Sequence, residues 1–312
     1  LQSILNTALP FFALIFCGYG AGRLNLLTTT AAAGVNTFVF YFALPAFLFS
    51  LMSSSPIAEV LNVPFIGAYV CASLAVFGLA AAGGKLLFGV GRGEAAVQGL
   101  AAVLPNTGYM GIPLAVAVFG REAAVPLVVG LTLDGILLIP LGILLIESEK
   151  GRDAGPLRSA LSTLPNLLRN PLIISIFAGL AASAAGVTTP TPVNNFLDLL
   201  GDTAGPCALF ALGATLAGRS VAGGAAEISY MTALKLFVHP ATLLLTTTVV
   251  FDVDPLWATA ALLGAALPVA ANVFIVARQY DTYVARASGA VLVSTAVSIV
   301  TVSALLLVLA PG

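Results

Sequence analysis

Residues 95–119 read AAVQGLAAVLPNTGYMGIPLAVAVF, and residues 256–277 read LWATAALLGAALPVAANVFIVA. Each stretch is long and apolar enough to cross a bilayer, which takes about 20 residues. Each is also broken near its middle. Pro105 removes a backbone donor and its ring collides with the preceding turn, and Asn106, Thr107 and Gly108 after it are poor helix formers. Pro268 divides the second stretch in the same way. The pieces around Pro105 are about eleven to thirteen residues long, which at about 1.5 Å per residue is half a bilayer. Backbone groups freed at that depth are tolerated only where protein or a wet cavity surrounds them. The sequence therefore predicts two broken helices whose ends lie at the membrane midplane.

The rest of the chain agrees with a membrane setting. Of its 312 residues 59% are hydrophobic and 8% charged, against about 25% charged in a soluble domain, and the mean hydropathy is +1.07. So few charges cannot cover a soluble fold, and a net charge of −1 gives no basic footprint for nucleic acid. Apolar segments fall near 3–22, 33–53, 63–88, 95–119, 123–146, 170–187, 202–218, 229–250, 256–277 and 284–309. They are too long for strands and lack period-two alternation. The first lacks the basic start of a secretory leader and is read as a retained span. Cys17, Cys71 and Cys207 have no metal-ligand spacing and read as small core residues. Gly18-Tyr19-Gly20-Ala21-Gly22 reads as a surface for close helix packing.

The expected fold is an all-α membrane protein of ten transmembrane helices. Arg23, Lys85, Arg92, Lys150, Arg152, Arg158, Arg169, Arg219, Arg278 and Arg286 fall at one set of ends, and Arg121 at the other. By the positive-inside rule both termini are expected outside, extracellular or periplasmic, in a plasma (bacterial inner) membrane. The polar connection 147–169 separates residues 1–146 from 170–312. Pro10 and Pro171, Pro45 and Pro206 are 161 residues apart, and Pro105 and Pro268 are 163 apart. Five spans per half make the second half an inverted copy of the first, a pattern of secondary transporters.

Half-helices that meet at the midplane present N–H groups at one end and C=O groups at the other, suited to anions and cations respectively. The candidate substrate-binding residues are Pro105, Asn106, Thr107, Gly108, Pro268, Val269 and Asn272. Asp134 lies about eleven residues into the fifth span, where an ionisable group costs at least about 2.5–3.5 kcal/mol and needs a partner. Lys235 and His239, one helical turn apart in the eighth span, are the expected partners, with Asp134 carrying a coupling proton. Lys235 is expected at the carbonyl ends of a break, paired with the anion, or snorkelling to the interface. No catalytic residues or metal ligands are read: one intramembrane aspartate and one histidine do not make an aspartyl protease or an HExxH site. No cofactor is expected beyond a coupling ion, proton or sodium.

Leu104-Pro105-Asn106-Thr107-Gly108-Tyr109-Met110-Gly111-Ile112-Pro113-Leu114 resembles the fourth-span signature of the auxin efflux carrier family, whose bacterial members include malate and malonate permeases. Phe42-Ala43-Leu44-Pro45, Leu234-Lys235-Leu236 and Ala277-Arg278-Gln279-Tyr280 fit as well. Plant members carry Asn on both sides of the proline; here Leu104 precedes Pro105. The resemblance implies a fold shared with bile-acid sodium symporters and sodium/proton antiporters. Spans 1, 2, 6 and 7 would form a scaffold that mediates a homodimer. Spans 3–5 and 8–10 would form a transport domain in which helices 4 and 9 cross. The implied function is secondary, elevator-type transport of small organic anions such as carboxylates, with proton coupling. The alternative is a sodium-coupled anion symporter or a cation/proton antiporter.

Overall fold

The computed structural model describes residues 2–149, 169–218 and 223–309. Among these residues there is no strand, and the helices are α1 Gln2–Arg23, α2 Thr29–Ser53, α3 Val63–Phe88, α4 Arg92–Val103, α5 Thr107–Phe119, α6 Arg121–Glu149, α7 Pro171–Ala184, α8 Thr191–Ala217, α9 Ala225–Val250, α10 Pro255–Ala266, α11 Ala271–Gln279 and α12 Val284–Leu309. Six helices are long and apolar enough to cross a membrane: α2, the helix containing α3, α6, α8, α9 and α12. The connection expected at 147–169, with the cations Lys150, Arg152 and Arg158, lies almost wholly outside the described residues, as does Arg219.

Local chemistry sets the ends. Asn62 accepts the Phe65 N–H, Asn170 the Leu172 N–H, and Asp254 the Leu256 and Trp257 N–H groups, each satisfying a first-turn donor. α3 stops at Gly89, which takes φ +65°. Glu149, last in α6, reaches α4 and accepts the N–H groups of Arg92 (2.9 Å) and Gly93 (2.8 Å).

The described residues hold one π turn at the end of α9, Thr246–Val250, and four others that share a pattern: Val39–Ala43, Thr107–Gly111, Asp134–Leu138 and Leu234–Val238. A proline sits two residues beyond each, at Pro45, Pro113, Pro140 and Pro240. The cause is steric. A helical proline ring clashes with the carbonyl four residues back, and widening the preceding turn moves that carbonyl away. The residue before each proline then donates to the carbonyl five residues back: Leu44 to Val39, Ile112 to Thr107, Ile139 to Asp134, His239 to Leu234.

The most extensive helix contacts are α1 with α8, α7 with α2, and α3 with α4. The α1–α8 contact is a close backbone approach. A Cβ on Gly18 would overlap the Phe210 carbonyl, one on Gly213 would overlap the Ile15 carbonyl, and one on Gly22 would lie 2.7 Å from Ala217 Cβ. Gly20 meets nothing within 4 Å. Two of the three glycines in that motif thus perform the expected packing.

Two expectations need correction. α8 begins at Thr191, before residue 202, because the segment with Asn194, Asn195 and Asp198 is also helical and precedes, across a turn at 202–203, the helix that starts at Ala204. Cys17 and Cys71 are exposed on the helix bundle and Cys207 half-buried, so they are not core residues. In lipid the outer face is as apolar as the inner one, and hydrophobicity alone does not report which way a residue points.

Gly213→Val is expected to destabilise the fold by about 1–3 kcal/mol or more through overpacking, read as a lower thermal midpoint of the purified protein, whereas Gly20→Ala leaves the midpoint unchanged.

Candidate functional site

The two breaks meet. Leu104 (ψ 107°) and Leu267 (ψ 156°) leave their helices in extended conformation, and Pro105 faces Val269 in an antiparallel bridge. The Asn106 N–H donates to the Pro268 carbonyl at 2.9 Å, and the Ala270 N–H donates to the Leu104 carbonyl at 3.0 Å. Asn106, at φ −76° and ψ 58°, forms an inverse γ-turn in which the Thr107 N–H donates to the Pro105 carbonyl at 2.8 Å. The Val269 N–H is taken by Ser294 Oγ of α12 at 3.0 Å. At the end of α10, Lys235 Nζ donates to the Ala265 carbonyl at 2.5 Å. Almost every group that the prolines set free thus has a protein partner.

The N-terminus of α11 is an exception. Ala270 supplies no side-chain cap, and the N–H groups of Ala271 and Asn272 have no acceptor among the described residues. Ala270 and Asn272 line a cavity of about 570 Å³, within the range of small-molecule sites. Leu104, Pro105 and Tyr109 border it from the first break, Asp134 and Gly135 from α6, Asn36, Thr37 and Tyr41 from α2, and Asn170 and Ile173 from the start of α7. Gln279 and Tyr280 stand at the end near the turns 89–91 and 280–283. Among the described lining residues there is one carboxylate, Asp134, and no Lys, Arg or His.

Asp134 starts the π turn of α6 and is 4% exposed. Its Oδ1 accepts from Tyr69 OH of α3 at 2.8 Å. The expected direct pair with Lys235 is absent: the ion pairs among the described residues are Arg121–Asp198 and Arg286–Glu227. Lys235 is instead 0% exposed, held by Ala265 and 3.3 Å from His239 Nδ1, and does not snorkel. The reason lies in reach: its ammonium satisfies the carbonyl end of α10 first, and Tyr69 stands closer to the carboxylate. His239 Nε2 is buried without a partner.

The candidate residues separate accordingly. Pro105, Asn272 and Asp134 reach the cavity. Asn106, Thr107, Gly108, Pro268 and Val269 form the backbone junction behind it and are buried. Lys235 and His239 lie deeper still. Tyr69 and Ser294 carry no sequence signal, because their partners lie 65 and 25 residues away. Thr132 bonds the Val128 carbonyl of its own helix.

A family model described as membrane transport protein matches residues 3–306. A relative from Rhizobium meliloti (strain 1021), named "Putative malonate transporter", is 36% identical over 312 residues, covering 100% of this chain and 98% of its own length. The uncharacterized transporter YfdV of Escherichia coli (strain K12) is 27% identical over 96% of each chain. Auxin efflux carrier component 3a of Oryza sativa subsp. japonica is 28% identical over 59% of this chain and 31% of its own. The chain belongs to this membrane transport family, the auxin efflux carrier-like family, and is an integral membrane transporter and not an enzyme.

Ser294→Ala strands the Val269 N–H and is expected to cost about 1–3 kcal/mol, seen as a lower thermal midpoint that Ser294→Thr largely restores.

Proposed function

We propose that this transporter is a secondary active carrier of small organic anions, dicarboxylates such as malonate among them, and that a proton travels with the anion on Asp134. One observation carries the reading: Asp134 and the uncapped start of α11 face the same cavity, and no cationic side chain among the described residues lines it. The N–H groups of Ala271 and Asn272 and the positive end of the helix dipole favour an anionic group. An ionised Asp134 in the same space repels that anion, with no counter-charge among the described lining residues. Anion and carboxylate share the cavity when the carboxylate is neutral, so occupation by the anion brings a proton with it. The full-length relative from Rhizobium meliloti, whose name carries malonate, favours a short dicarboxylate.

The same reading assigns ten spans in two inverted halves, residues 1–146 and 170–312, with α4–α5 and α10–α11 as the broken, crossing helices. Its support is pairwise packing: α1 against α8 and α7 against α2 are the contacts that an inverted repeat relates to each other. Spans 1, 2, 6 and 7 (α1, α2, α7, α8) form the scaffold and hold a second copy in a homodimer. Spans 3–5 and 8–10 form the transport domain, which moves as an elevator and carries the break junction and Asp134. Lys235 and His239 hold the junction from the side away from the cavity. The cations Arg23, Lys85, Arg92, Arg169, Arg278 and Arg286 at one end of the helices support termini on the extracytoplasmic side.

Malonate flux into proteoliposomes tests the assignment. The expected result is uptake driven by an inward proton gradient without sodium, and loss of at least tenfold in Asp134→Asn. Uptake that requires sodium, or full gradient-driven uptake in Asp134→Asn, would sink the proton assignment. Asn272→Leu, which removes a polar group beside the α11 N-terminus, is expected to weaken malonate stabilisation in a thermal-shift titration.

A further inference from the structure

Arg121 opens α6 directly after Gly120, whose φ of +89° makes the tight turn from α5. Its side chain leaves that hairpin and is held by two other helices. Nη2 donates to Ser50 Oγ at 2.6 Å, Nη1 lies 3.6 Å from Asp198 Oδ1, and the guanidinium carbon stands 5.8 Å from the centre of the Phe47 ring. Ser50 also donates to Asp198 Oδ1 at 3.1 Å. Phe47 and Ser50 belong to α2 and Asp198 to α8. Of the two ion pairs among the described residues, this one joins the α5–α6 hairpin to the group of α1, α2, α7 and α8, whereas Arg286–Glu227 joins α12 to α9.

Position and exposure give the contact its meaning. The helices alternate in direction, so residues 50, 121 and 198 lie at the end of the bundle away from Gln279, Tyr280 and Asn170, which line the cavity. A Cβ on Gly205 of α8 would lie 3.0 Å from Pro113 of α5, and an apolar gap of about 340 Å³, bordered by Phe47, Pro113, Val116 and Ala204, separates the two groups. The Arg121 and Asp198 side chains are 45% and 49% exposed. On separation each charge is rehydrated at little cost, as suits a contact that breaks and reforms.

We propose that Arg121, Ser50 and Asp198 form a gate that closes their own end of the bundle and opens when the transport domain moves. The proposal rests on the two-domain reading above. Its test needs no substrate, so failure of malonate transport and failure of the gate are separate results. The probe is a thiol placed by Ala204→Cys, 3% exposed beneath the clasp, in protein carrying Cys17→Ala, Cys71→Ala and Cys207→Ala. Its reaction with a water-soluble maleimide is followed in detergent. Arg121→Gln and Asp198→Asn are each expected to raise the labelling rate about two- to fivefold without lowering the thermal midpoint. The exchanged pair, Arg121→Asp with Asp198→Arg, is expected to return the rate toward that of the parent. Unchanged rates in both single variants overturn the gate. So does an exchanged pair that labels as fast as the single variants, or a rise that tracks a fall in thermal midpoint.

Discussion

Two hydrogen bonds, from the Asn106 N–H to the Pro268 carbonyl and from the Ala270 N–H to the Leu104 carbonyl, make the rest of the structure possible. A helix broken in mid-bilayer exposes backbone polar groups to a medium that cannot pair them. Here each break supplies the other's missing partners. The remaining freed groups are taken up one by one: Val269 N–H by Ser294, Thr107 N–H within a γ-turn, the Ala265 carbonyl by Lys235. What stays unpaired is the start of α11, and that start faces the cavity. The backbone groups that close the junction and those left open to the cavity thus lie within a few residues of one another.

Proline shapes the helices around that junction in a second way. Pro140 and Pro240 interrupt no helix, yet each widens the turn before it, and those turns begin at Asp134 and Leu234. The wider turn shifts the angular position of everything that follows. Residues at the start of those turns make buried polar contacts of their own, Asp134 with Tyr69 and Lys235 with the end of α10. Single π turns often mark functional positions, and here their cause can be traced to a ring clash with the carbonyl four residues back.

Charge is used sparingly and in separate roles. Arg23, Lys85, Arg92, Arg169, Arg278 and Arg286 stand at one set of helix ends, and Arg121 stands at the other beside Asp198. Glu149 caps α4. Within the membrane Asp134 and Lys235 are each held by neutral groups, a phenol and a carbonyl, rather than by one another.

The sequence by itself determined the membrane class, the helical state, the two breaks at Pro105 and Pro268, and the family. Those features rest on local chemistry: long apolar runs, missing proline donors, and a motif read residue by residue. It also pointed to Asp134, Lys235 and Asn272, because polar residues are rare in such runs. Only the tertiary structure decided which of them share a space. Tyr69 bonding Asp134, Ser294 bonding Val269, and Asn36 and Asn170 lining the cavity all depend on helices brought together from distant parts of the chain. The outward positions of Cys17 and Cys71 were equally hidden. A bilayer removes the contrast between a polar outside and an apolar inside, so direction around a helix is fixed by packing and leaves no period in the sequence.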